Sequence, residues 1–168
     1  MNKVIVIGCP GSGKSEFSRK LKYITNIPLF HLDMIYHNSD GTHISKEELE
    51  DKLKEIFKNK SWIIDGNYQR TIEMRIKECD SIFLLDLPTE VCIQGATERI
   101  GTQRQDLPFI EEKLDENFKK TILNFKAEKL PRIYELLEKY GKDKSITVFK
   151  SRNDIDNYIK LLCKLNNK

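Results

Sequence analysis

The 168 residues suit a single domain, and a hydrophobic content of 39% is enough for one core of that size. Lys and Arg number 29 against 26 Asp and Glu, and the resulting net charge of +3 is too mild for a dedicated nucleic-acid binder. No apolar run approaches the ~20 residues that span a bilayer, and Val4 to Ile7 is too short for a signal-peptide core, so the expectation is a cytoplasmic protein.

Val4 to Ile7 reads as a first strand, followed by a glycine-rich loop and a helix from about Lys14 to Tyr23. Leu29 to Leu32 is a second strand, ending at Asp33. The polar run His37 to Gly41 is a loop. Ser45 then starts a helix, with Glu48 three residues on as its capping-box partner, and Leu49, Leu53, Ile56 and Phe57 share one face. Trp62 to Ile64 is a third strand closed by Asp65-Gly66, and Thr71 to Glu78 is helical. Ile82 to Leu87 is a fourth strand. Thr89 caps a helix reaching about Arg104, and Gln105 to Pro108 breaks the pattern. Helix resumes up to Gly141, interrupted at Leu130-Pro131. Ile146 to Phe149 is a fifth strand, and a final amphipathic helix carries Ile155, Tyr158, Ile159 and Leu162. Strands alternating with helices predict an α/β fold with a mainly parallel sheet. The cysteines, Cys9, Cys79, Cys92 and Cys163, lack metal-site or dithiol spacing and read as reduced thiols, and the three histidines read as ordinary polar residues.

The motif that carries chemistry is Gly8-Cys9-Pro10-Gly11-Ser12-Gly13-Lys14-Ser15, which fits G-x-x-x-x-G-K-[ST] between an apolar strand and a helix. Its glycines let the backbone wrap phosphate oxygens while N–H groups and the helix N-terminus point at the anion. Lys14 reaches the β and γ phosphates of ATP and the Ser15 hydroxyl ligates Mg²⁺. Gly8, Pro10, Gly11, Ser12, Gly13, Lys14, Ser15 and Glu16 are thus the expected nucleotide site. The short chain, the missing Asn-Lys-x-Asp segment of a guanine reader and the arginines of a candidate lid favour a kinase over a GTPase or motor.

Together with His31-Leu32-Asp33, Trp62 to Tyr68, Arg75, Asp80 to Pro88 and Ser151-Arg152, this motif resembles the adenylate-kinase-like branch of P-loop kinases. Within it, the resemblance is to a bacterial group of DNA topology modulation (FlaR-related) proteins. It implies an NMP-kinase-like P-loop NTPase domain over residues 1–168, with five parallel strands in the order 2-3-1-4-5. It also implies an acceptor region at about residues 34–60 and a lid at about residues 99–110. Adenylate kinases carry Asp-Gly-Phe-Pro-Arg where this chain has Asp65-Gly66-Asn67-Tyr68-Gln69-Arg70, a departure that points away from AMP.

On this reading Asp33, at the carboxyl edge of the sheet, holds the acceptor or acts as base, or is simply a turn residue. Asp65 orients Mg²⁺, with Asp86 as its rival. Arg99 and Arg104 stabilise the transferred phosphoryl group, or form a solvated helix face. Arg70 and Arg75 bind an anionic group of the acceptor, although Arg75 can instead pair with Glu73 or Glu78. Gly66, Asn67 and Tyr68 touch the acceptor. Arg152 belongs to the nucleotide site, and Ser151 caps the following helix or packs on adenine. The expected function is ATP- and Mg²⁺-dependent phosphoryl transfer to a small acceptor, a nucleotide or nucleoside, by a monomer or homodimer. The alternatives are an ATP-binding regulator affecting DNA topology and a slow NTPase.

Overall fold

A computed structural model describes residues 1–166. The elements run β1 (Lys3–Gly8), α1 (Lys14–Thr25), β2 (Leu29–His31), α2 (Leu32–Tyr36), α3 (Lys46–Phe57), β3 (Trp62–Asp65), α4 (Gln69–Glu78), β4 (Ser81–Leu85), α5 (Thr89–Thr97), α6 (Glu116–Asn124), α7 (Leu130–Tyr140), β5 (Ser145–Phe149) and α8 (Arg152–Asn166). A single π turn, Phe125–Lys129, joins α6 to α7. The five strands form one sheet in the order β2-β3-β1-β4-β5, all parallel.

The order follows from burial. β1, β3 and β4 are near-continuous apolar runs, and strands with helices on both faces need that composition. β2 and β5 are less buried and take the edges. Each Ile or Val that the central strands bury completely contributes about 1.5–3 kcal/mol, and Val4, Ile5, Val6, Ile7, Ile63, Ile64 and Ile82 all reach 0% exposure. On one face Phe17 of α1, Phe83, Phe149 and Tyr158 of α8 form an aromatic cluster with edge contacts as close as 4.9 Å. Trp62 is fully buried against Phe57. The register aligns Val6 with Asp65 and Gly8 with Leu85, so the first loop and the turn after β3 leave the same edge of the sheet side by side.

Local signals set several boundaries. The Ser45 hydroxyl accepts from the Glu48 N–H as the capping box requires. Asp115 caps α6 in the same way, through the N–H groups of Asn117 and Phe118.

Four boundaries depart from the sequence reading. β2 stops at His31, and Leu32 to Tyr36 turns into a short helix that places Asp33 in its first turn. Thr89 is the first residue of α5 and caps nothing; the N-cap position belongs to Pro88. α5 ends at Thr97, short of Arg104, and helix resumes only at Glu116, leaving an irregular loop over residues 98–115. The chain passes Leu130-Pro131 without a break because the π turn absorbs it and Pro131 stands at the start of α7, where its missing N–H costs nothing. No helix among the described residues is long and apolar enough to cross a membrane.

Candidate active site

The loop between β1 and α1 is built on backbone geometry that side chains would block. Gly11 has φ 79°, and a Cβ there would lie 2.0 Å from the carbonyl oxygen of Cys92 on α5. Reciprocally, a Cβ on Gly95 would lie 2.2 Å from the Gly11 carbonyl oxygen. Helix α5 therefore packs backbone to backbone against the loop and fixes its curve. Cys9 and Cys92 are both buried in this contact.

The first N–H groups of α1 lack intrahelical partners and face outward. The Lys14 ammonium donates to the loop's own Cys9 carbonyl at 2.9 Å. Burial pushes its pKa down, and the nearby Asp65 and Asp33 carboxylates oppose that shift. A cavity of about 490 Å³ opens on this helix end. It is lined by Gly11, Gly13, Lys14, Ser15 and Glu16 on one side and by Arg19, Arg99, Arg104, Asp106 and Arg152 around them. A smaller recess reaches Ser12, whose buried hydroxyl has no partner. Ser151 caps α8, accepting from the Asp154 N–H while its own N–H donates to the Asp154 carboxylate.

A second cavity of about 670 Å³ shares Lys14, Ser15, Arg99 and Arg104 with the first. Pro10, Asp33, Asp65, Gly66, Asn67 and Tyr68 form its floor, with His37 beside them, and the 107–118 segment forms its roof. Tyr68 donates its hydroxyl to Asp33 Oδ1 at 2.8 Å. Burial raises the Asp33 pKa and Asp65 adds to the rise, while the Tyr68 hydrogen bond pulls it back. Burial and the Asp33 charge hold the Tyr68 hydroxyl well above its usual range, so it stays a donor. Asp65 Oδ2 meets His31 Nδ1 at 2.8 Å, while Oδ1 is buried without a partner. Asp86 lies elsewhere, between Tyr134 and Lys150.

Two expected acceptor ligands are not in this cavity. Arg75 is completely buried and donates to the backbone carbonyls of Gly66, at 2.7 Å, and of Asn67, with longer contacts to Thr71 and Tyr68. It holds the turn after β3 from behind, lines neither cavity and pairs with neither Glu73 nor Glu78. Arg70 points outward to Glu50, at 2.6 Å, and Glu47, at 2.9 Å, on α3. The expected acceptor region at residues 34–60 shrinks correspondingly: of it, His37 lines the cavity, while α3 stands outside.

The 98–115 loop lies over both cavities. Arg99 and Arg104 converge on Glu111, at 3.0 Å and 2.6 Å, and Arg104 also grips Asp106. Arg99 stacks over Phe118 at 5.2 Å. Asp106 lies 3.7 Å from Arg19. Burial alone would raise its pKa, but Arg104 and Ser15 outweigh that and hold it well below the usual carboxylate range. Sequence reasoning missed His31, Gly95, Asp106, Phe109, Glu111 and Phe118. Nothing local in the sequence singles out Asp106 or Glu111, and only the break at Gln105 to Pro108 marks the segment.

No family model matches the chain. It is 30% identical over 88 residues to the adenylate kinase of Thermotoga maritima, a match covering 51% of this chain and 39% of that protein. It is also 30% identical over 128 residues to the adenylate kinase of Mesomycoplasma hyopneumoniae, covering 61% of this chain and 60% of that one. The chain thus spans about two fifths to three fifths of the length of the curated relatives it matches. Shikimate kinase from Bacteroides thetaiotaomicron superposes with a TM-score of 0.57 at 14% identity, covering 98% of both chains. Shikimate kinase from Acinetobacter baumannii in complex with shikimate superposes with a TM-score of 0.64 at 16% identity, covering 100% of this chain and 95% of that one. The five-stranded parallel sheet of order 2-3-1-4-5 is the P-loop NTPase arrangement, shared with these kinases.

Proposed function

We propose that this chain is an ATP-dependent phosphotransferase that moves the γ-phosphoryl group of ATP to a hydroxyl of a small acceptor. The observation that carries the reading is the pair of adjoining cavities, one on the P-loop and one floored by Asp33, which share Lys14, Ser15, Arg99 and Arg104 at their junction. Kinase relatives in sequence and fold support it.

The unpaired N–H groups of the P-loop and the start of α1 hold the triphosphate, and Arg152 flanks it. Lys14 exchanges the Cys9 carbonyl for phosphate oxygens. Arg99 and Arg104, already aimed at the junction, face the charge that develops on the phosphoryl group in flight. Asp33 accepts the proton of the attacking hydroxyl. Its raised pKa suits a base, and the Tyr68 hydroxyl fixes the orientation of its carboxylate. The acceptor oxygen bonds to the γ-phosphorus, the bond to the β-bridging oxygen breaks, and ADP leaves. The 98–115 loop acts as the lid and keeps water, the rival acceptor, away.

The donor set fits Mg²⁺. The Ser15 hydroxyl borders both cavities, and Asp65 Oδ1 is a buried carboxylate oxygen lacking a partner. Ser15 and Asp65 would hold the ion, which neutralises charge on the β and γ phosphates when bound.

The link to the topology-modulation group rests on sequence resemblance alone. Labelled ATP offered with a panel of hydroxyl compounds tests the proposal, with Lys14→Ala as control. Transfer to at least one acceptor, reduced about 10²–10³-fold in the variant, is the expected outcome. Hydrolysis alone across a broad panel would sink it.

A further inference from the structure

We infer that the acceptor carries no phosphate or carboxylate of its own and is an uncharged or cationic alcohol built on a planar ring. The inference rests on the phosphotransferase reading and names the substrate class of that same site.

Charge is the first observation. Apart from the three cations at the junction and the His37 imidazole, the second cavity has one basic residue, Lys113, which is exposed. Against it stand Asp33, Asp65, Glu111, Glu112 and Asp115. The junction arginines already contact acids, Arg99 meeting Glu111 and Arg104 meeting Glu111 and Asp106, with the buried Arg99 Nε making no hydrogen bond. A phosphate dianion or a carboxylate entering here would lose its hydration, compete with Glu111 and Asp106 for the junction arginines and sit beside Asp33.

The second observation is where the other arginines went. The turn after β3 is where an anion-binding arginine was expected, yet Arg70 is spent on Glu47 and Glu50 outside the cavity, and Arg75 on backbone carbonyls beneath it. Both are held by partners that would have to be given up before either could turn inward.

The third is the wall. Phe109 and Phe118 line the roof and Tyr68 the floor, with the His37 ring edge-on to Phe109 at 5.7 Å. Aromatic faces at opposite sides of a carboxylate-lined cavity suit a flat ring whose hydroxyl or amino groups donate to the acids. In the transfer step an alcohol hydroxyl attached to the ring or carried by its substituent supplies the attacking oxygen, its proton passes to Asp33, and ADP leaves.

The test compares initial rates of transfer from labelled ATP to four sets: nucleosides, ring-bearing amino alcohols, nucleoside monophosphates and ring hydroxycarboxylates such as shikimate. The best members of the first two sets are expected to exceed the last two in kcat/KM by about tenfold or more. Glu112→Arg, which places a cation at the cavity, should narrow that gap by up to about fivefold, the scale of a solvent-exposed pair, with the Kd for MgATP unchanged. Preference for a phosphate- or carboxylate-bearing acceptor, or no transfer to any neutral or cationic member, overturns the inference. Calorimetry separates the two levels. MgATP heat together with an anionic preference sinks the acceptor class alone, whereas absence of MgATP heat sinks the phosphotransferase reading as well.

Discussion

Replacing Arg75 by Met separates the two roles available to this side chain. The guanidinium makes two good charge-assisted hydrogen bonds, to the carbonyls of Gly66 and Asn67, and two longer ones to Thr71 and Tyr68. Bonds of this kind contribute about 1.5–3 kcal/mol each, so the two good ones are worth roughly 3–6 kcal/mol. Against that, methionine removes the cost of holding a charge in the interior, the burial that also lowers the Arg75 pKa. The net loss expected is about 2–4 kcal/mol. At roughly 2–4 °C per kcal/mol for a chain of this size, Tm should fall by about 5–15 °C. Arg75→Lys keeps the charge and loses the fork, and should fall between wild type and the Met variant. Thermal melts, urea titration and MgATP calorimetry at a temperature where both variants remain folded provide the assay. Nucleotide affinity should be retained. If Tm stays within about 1 °C of wild type while the KM for the acceptor rises more than tenfold, Arg75 is a ligand and the placement argued above is wrong.

Three further outcomes are expected. The acidic limb of the pH profile of kcat/KM should lie above the ordinary carboxylate range, because burial raises Asp33; Asp33→Asn should lose most of the rate and remove that limb. Asp106 has its folded pKa depressed, so its contribution is present above its unfolded pKa and is lost as pH falls below that value toward the folded one. Melts recorded from pH 6 down to pH 2 should therefore show an acid destabilisation that Asp106→Asn makes shallower. Gly95→Ala should misplace α5 against Gly11 and weaken MgATP binding by about tenfold or more, since the added carbon has only 2.2 Å to the Gly11 carbonyl oxygen; unchanged calorimetric affinity would remove α5 from the account of the P-loop.

The parts visible in the sequence are those written locally. Apolar runs between turn residues disclosed all five strands, and the P-loop disclosed itself through its own spacing of glycines before Lys14-Ser15, even though the backbone those glycines avoid, at Leu85 and Cys92, is distant in sequence. The carboxylates at strand ends were found for the same reason, and the sheet order places Asp65 beside β1 while Asp86 is drawn off to Tyr134 and Lys150. What stayed hidden depends on distant partners. Helical periodicity placed Arg75 on α4 but said nothing of the carbonyls it would meet beneath the turn. Nothing near Arg70 announced that α3 would offer Glu47 and Glu50. The 98–115 loop has no period at all, and although Arg99 and Arg104 meet Glu111 and Asp106 within it, no repeat marks which acid each arginine finds.

Asn67 joins the two halves of the molecule's chemistry in an unusual way. Beyond Asp65 the third strand turns off, and its last rung to β1 is the Gly66 N–H donating to the Val6 carbonyl. The side-chain amide of Asn67 then supplies the next rung: its oxygen accepts from the Gly8 N–H at 3.0 Å and its NH₂ donates to the Gly8 carbonyl. A side chain thus impersonates a peptide unit, lengthening the sheet by one step after the backbone has departed. Aspartate in its place would keep the accepting oxygen yet leave the Gly8 carbonyl facing a negative charge. The turn that carries Tyr68 at the floor of one cavity and the first residue of the phosphate loop beside the other are thus tied by a single side-chain amide.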